Sequence, residues 1–147
     1  MVRLAVTAAV VDRALPRQVT SGVPALRAEP FWVDGAPGSW VVHWRIHNER
    51  ARPVQIDTAV QPHTQFRTPE TKLGRDLSAH GVIDIDLPVR FNEEPGTVVE
   101  NPFLILRATY EGVSWRILLR VQVTAGIRGE PIASRTLSVS TDRVGAV

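Results

Sequence analysis

Apolar residues recur at every second position through much of this chain, and that period restricts how they can be buried. Successive side chains of a strand point to opposite faces, so a period of two gives one wet and one dry face; an amphipathic helix needs a period near 3.6. The pattern is clearest over residues 39–49, where Trp40, Val42, Trp44 and Ile46 share one face and Val41, His43, Arg45, His47 and Glu49 take the other. Val54, Ile56, Thr58 and Val60 repeat it, with Gln55, Asp57, Ala59 and Gln61 turned outward. The polar, proline-bearing link 48–53 predicts a hairpin between these two strands. A register with Asn48 opposite Val54 would keep both apolar sets inward and place Arg45 across from Asp57, a favourable cross-strand pair.

A second hairpin is marked more sharply, because Glu111-Gly112 separates the run 103–110 from the run 113–123 by two residues. Pairing Tyr110 with Val113 sets the rest. Leu104, Leu106, Ala108 and Tyr110 then meet Leu119, Ile117, Trp115 and Val113 on the core face. On the outer face Phe103, Ile105, Arg107 and Thr109 meet Arg120, Leu118, Arg116 and Ser114.

Between the hairpins, Ile83, Ile85, Leu87, Val89 and Phe91 alternate with Val82, Asp84, Asp86, Pro88 and Arg90, and Pro88 assigns this strand to an edge or a bulge. Weaker strand patterns cover residues 2–10, 25–33 and 132–141. Residues 62–80 read as a long polar loop with Phe66 in its middle, and residues 92–101 as a second loop turning at Pro95-Gly96. No run has a helical period. About eight short strands with turns between them predict an all-β fold, a single antiparallel sandwich spanning 1–147, with 142–147 as a frayed tail.

Size and composition agree with one globular domain. A chain of 147 residues with 44% hydrophobic content can bury roughly 68 to 70% of its unfolded surface, so it needs no disulfide or metal to hold a core. There is no Cys, which removes disulfides, thiolate nucleophiles and Cys-ligated metal centres together. Net charge is only +2, and the pI near 9.9 arises because all but one of the seventeen basic residues are Arg, leaving little besides Lys72 and Tyr110 to titrate at high pH. A nucleic-acid partner would call for a basic stripe, and none is expected. The run after Arg3 is closed by Asp12 and Arg13 after eight apolar or small residues, and no small-x-small cleavage site follows before Leu15-Pro16, so no signal peptide is expected; no stretch reaches the ~20 apolar residues of a transmembrane helix. Cytoplasmic placement is the default expectation, and export of a Cys-free domain fits equally.

The segment Trp40-Val41-Val42-His43-Trp44-Arg45-Ile46-His47-Asn48, its Pro-bearing turn and Val54-Gln55-Ile56 resemble the core strands of bacterial immunoglobulin-like and fibronectin-type sandwiches. The second hairpin looks like their last two strands. The resemblance is one of pattern over about a third of the chain. It lacks the Cys pair around the buried Trp and the tyrosine corner of antibody domains. It implies a fold used for adhesion, inhibition or docking.

Catalytic and metal-binding patterns are sparse. His43 and His47 share a face but stand about 13 Å apart on a strand, too far to share one ion. A register shift could bring His43 to Asp57 and His63, yet neither a metal nor another cofactor is expected. Asp84 and Asp86 lie about 7 Å apart on one side, a carboxylate spacing that suits glycoside hydrolysis, but alternating acids on a wet edge strand need no catalytic explanation. No serine elbow or phosphate loop is present, and the chain is read as a non-enzyme. The informative constellation is the outer face of the second hairpin. Arg107 faces Arg116 there with Arg120 nearby, beside Phe103, Ile105 and Leu118, and Arg45 would join them if residues 39–49 lie in the same sheet. Apolar groups mixed with Arg and short of acids make an interface, so this face is expected to dock another protein or a second copy. The competing reading has Glu49, Glu100 or Glu111 neutralise the arginines. The alternative function is a small-ligand module for carbohydrate or an anion, using Phe31, Trp32 and Phe66.

Overall fold

The computed structural model describes residues 22–145. Within them the chain forms eleven strands and no α-helix: β1 Leu26–Ala36, β2 Ser39–Asn48, β3 Val54–His63, β4 Phe66–Leu77, β5 Val82–Val89, β6 Val98–Val99, β7 Phe103–Tyr110, β8 Val113–Arg120, β9 Val123–Ala125, β10 Pro131–Ala133 and β11 Ser138–Arg143. Three antiparallel sheets result, ordered β1-β2-β5, β11-β8-β7-β3-β4 and β10-β9-β6. The first two stack as a sandwich and the small third sheet adds Val99, Val123, Ala125 and Ala133 to the core. The expected strand at residues 2–10 lies outside the described residues. Among the described residues no helix is long and apolar enough to cross a membrane.

Alternation explains the core directly. Trp40, Val42, Trp44 and Ile46 of β2 and Ile85, Leu87 and Val89 of β5 are buried from one sheet. Ile56, Leu104, Leu106, Ile117 and Leu119 are buried from the other. Each such side chain contributes roughly 1.5–3 kcal/mol on leaving water. The second hairpin has the register its turn dictates, from Tyr110↔Val113 through Arg107↔Arg116 to Phe103↔Arg120. Glu111 and Gly112 both have positive φ, 52° and 77°, as a two-residue type I′ turn requires. Pro88 sits where expected, on the edge strand β5.

The first hairpin does not form. β2 pairs with β1 and β5, while β3 pairs with β4 and β7 in the opposite sheet. The link 49–53 arches between the sheets, held by the buried Asn48 amide, which donates to the carbonyls of Arg52 at 2.8 Å and Ser78 at 3.0 Å and accepts from the Arg50 N–H at 3.0 Å. An arch points both apolar sets into one core as well as a hairpin does, so periodicity alone cannot separate them. Arg45 accordingly faces Asp84 of β5 instead of Asp57. Asp57 accepts a hydrogen bond from the Thr109 hydroxyl at 2.8 Å.

Residues 62–80 are not a loop. Thr64 and Gln65 turn the chain and β4 returns along β3 as an edge strand. Two register shifts, Pro69 and a positive φ of 57° at Gly74 destroy its alternation. Phe66 is fully buried, edge-on to Phe91 at 6.2 Å between ring centroids. Residues 132–141 divide between β10 and β11. The strand β11 continues past Thr141, with Asp142 opposite Arg116 and Arg143 opposite Trp115, and Val144 N–H reaches the Ser114 carbonyl at 2.9 Å.

Candidate functional site

The outer face of the five-stranded sheet carries the arginines the hairpin register predicts. Arg107 and Arg116 are direct cross-strand neighbours, and Ile105 faces Leu118 beside them. Phe103, Ile105, Arg107 and Leu118 are half-buried and Arg116 is exposed. Among the described residues neither Arg107 nor Arg116 has an acid in ion-pair contact, although Asp142 stands opposite Arg116 in register. The Arg107 Nε is shut off from solvent with no acceptor, as is the hydroxyl of Thr58, its neighbour on β3. Arg116, Arg107 and the turn from Arg143 to Gly145 bound a recess of about 160 Å³. A small anionic group can enter such a recess and meet two guanidinium groups.

The acids proposed to neutralise this face are engaged elsewhere. Glu49 pairs with Arg27 at 3.0 Å, Glu111 pairs with Arg52 at 3.0 Å, and Glu100 accepts from the Gln122 amide at 3.0 and 3.1 Å. Arg120 is tied to neutral partners, donating to Ser138 Oγ at 3.1 Å and Asn101 Oδ1 at 3.3 Å. Arg45 does not belong to the face at all, because β2 lies in the other sheet.

Arg45 is part of a second constellation, on the outer face of β1-β2-β5. It donates to Asp84 at 2.9 and 3.2 Å and lies 4.5 Å over the Phe31 ring. That hydrogen bond holds the Asp84 carboxyl below its ordinary value and raises the Arg45 guanidinium. His47 bonds Glu29, whose carboxyl is lowered chiefly by that bond. In the next row His43 Nδ1 donates to Asp86. Its Nε2 is buried without a hydrogen bond, 3.9 Å from an Asp34 oxygen. Trp32 stacks on the His43 ring at 4.8 Å and 19°.

Trp32 nevertheless keeps 57% of its surface exposed, and Phe31 44%. A register shift between Pro30 and Trp32 brings Trp32 opposite His43 and leaves Phe31 as the extra residue of a bulge. Phe66 lies in the core and takes no part. Asp84 and Asp86 therefore face an arginine and a histidine across the ladder. His43 sits in a different sheet from Asp57 and His63, which do not join it. Sequence reading did not assign Asp34, and it turned Thr58 inward and Ala59 and Gln61 outward; the register shift between Ile56 and Thr58 reverses that phase, setting Thr58 opposite Arg107 and burying Ala59 and Gln61. The spacing Trp32, Asp34 at two residues is the signal that would have placed the acid beside the indole.

A scan of protein-family models, a search of curated proteins and a search of solved structures each found no match to this chain.

Proposed function

We propose that this chain is a non-enzymatic interaction module of immunoglobulin-like type, which docks acidic groups of a partner protein on the outer face of β11-β8-β7-β3-β4. The observation that carries the reading is the opposed Arg107–Arg116 pair with no acid in ion-pair contact among the described residues. Like charges directly opposed on a sheet are destabilising. A carboxylate arriving from a partner relieves that repulsion and forms charge-assisted hydrogen bonds, roughly twice as strong as neutral ones. Ile105, Leu118 and Phe103 beside the pair supply the apolar contact of an interface core. Strand order supports the immunoglobulin-like type: β1, β2 and β5 lie together as strands A, B and E do, and β3, β7 and β8 as C, F and G do.

The recess beside Arg143 favours a second reading, a small anion as ligand. One experiment separates the two. Wild type and an Arg107→Ala/Arg116→Ala variant are compared for retention of partner proteins from the source lysate, for thermal stability, and for stabilisation by phosphate or acetate. Docking predicts loss of retained protein in the variant, a melting temperature unchanged or raised, and no saturable shift with the small anions. Intact retention with a fall in melting temperature overturns the docking reading, and saturable anion stabilisation of wild type alone favours the second.

A further inference from the structure

We infer that the chain's own partner is a second copy, seated head to tail, with the Trp32 face of one molecule on the arginine face of the next. This rests on the docking reading above and names the occupant of that face. Charge bookkeeping on β1-β2-β5 is the starting point. Arg27 is spoken for by Glu49 and Glu29, Arg45 by Asp84, and His47 by Glu29. Asp34 and Asp86 are left sharing one imidazole, His43, with side chains 54% and 65% exposed. Trp32 neighbours Asp34 on β1, one ring face on His43 and much of the remainder open to solvent.

Two under-neutralised carboxylates beside an exposed indole form a receptor for guanidinium. The carboxylates accept its planar N–H groups, and the indole is the best of the aromatic rings for a cation–π contact. Phe31 already carries Arg45 in that geometry, 4.5 Å above its ring. The arginine face offers the converse set: Arg107 and Arg116 without acids, a recess sized for a carboxylate, and the apolar surface of Ile105 and Leu118 for the aromatic pair. Each face lacks what the other presents, and such complementarity specifies register and partner.

The two faces are the outer sides of opposite sheets, so one neighbour cannot engage both. The contact is therefore heterologous and propagates into a ring or an open row instead of closing as a twofold dimer. Electrostatic attachment of this kind weakens as salt rises.

The test uses two variants of the full chain, Arg107→Glu/Arg116→Glu and Trp32→Ala/Asp34→Arg, on the outer faces of the two sheets, with circular dichroism and melting temperature confirming the fold. A single Trp32→Ala variant serves should the second pair fail to fold. Sedimentation velocity is run over rising protein concentration. Wild type should pass beyond dimer, each variant alone should remain monomeric with association weakened roughly tenfold or more, and their equimolar mixture should stop at a one-to-one heterodimer because each retains one intact face. A wild type that stays monomeric throughout overturns self-docking. If that monomer still retains a partner lost with Arg107→Ala/Arg116→Ala, docking on the arginine face stands without it. Assembly that survives Trp32→Ala/Asp34→Arg but not the arginine changes also overturns the head-to-tail pairing, and assembly indifferent to both overturns the two readings together. Saturable quenching of monomeric wild-type fluorescence by a sugar, lost in Trp32→Ala, would assign that face to carbohydrate instead.

Discussion

The two broad faces of this sandwich handle charge in opposite ways. Among the described residues of β1-β2-β5 each arginine and histidine meets an acid across the ladder or beside it: Arg45 on Asp84, His43 on Asp86, His47 on Glu29, Arg27 on Glu49. On β7-β8 an arginine meets an arginine. Both faces cover the same core and belong to strands of similar length, so folding imposes no such difference. Charge matched within a face serves the fold, whereas charge left unmatched is available to something outside it. The contrast also exposes the remainder on the matched face, since two carboxylates there share one imidazole.

The common support is the place to break both faces at once. Trp44 is fully buried on β2 directly beneath the matched face, and Trp44→Ala should cost about 3–5 kcal/mol in chemical denaturation. Any association should disappear with the fold, whichever face carries it. A subtler change turns the unmatched face into a matched one. Arg107→Glu sets an acid opposite Arg116 without facing Asp142 and should raise stability by about 0.2–1 kcal/mol while abolishing association. Denaturation midpoint and sedimentation, moving in opposite directions, would check it; a joint fall in both would mean that Arg107 has an internal partner.

The smallest effect is pH dependence. Asp84 and Glu29 have carboxyls lowered below their ordinary values of 3.8 and 4.5 by Arg45 and His47. A lowered folded-state value means stability that is present above the ordinary carboxylate range and is lost as pH falls through the folded value. Melting temperature should therefore drop on acidification into and below that range. Arg45→Ala should flatten part of the drop by returning Asp84 toward its unfolded behaviour, and Arg107→Ala should leave the profile unchanged. An identical flattening by both would dissolve the distinction between the faces.

These faces were unequally legible in the sequence. Alternation tells which side of a strand is buried but not which strand lies beside it. For β7 and β8 the missing neighbour is supplied by a two-residue turn, so the Arg107–Arg116 opposition could be read residue by residue. For β2 and β3 the longer link admitted an arch as readily as a hairpin, and Arg45 was consequently placed with the wrong sheet. β4 went unseen because Pro69, Gly74 and two register shifts leave few buried residues and no period, although Phe66 and Leu77 anchor it at both ends. Exposure of Trp32 depends on a bulge, which shifts the phase of β1 by one residue and leaves no local mark in composition.

Of the four outer strands of the two large sheets, three carry a proline: Pro30 in β1, Pro69 in β4 and Pro88 in β5. Each removes a donor from an exposed backbone row, and β1 and β4 add register shifts that twist the margin. Lateral recruitment of a foreign strand, the route by which β-rich chains coalesce into amyloid, is blunted along those three margins. Of those four, β11, from Ser138 to Arg143, is the one that presents its outer row without that interruption among the described residues. Misassembly after heating or mutation should therefore begin at this C-terminal strand, and a proline introduced at an unpaired position there would be the economical way to make the domain safer to handle at high concentration.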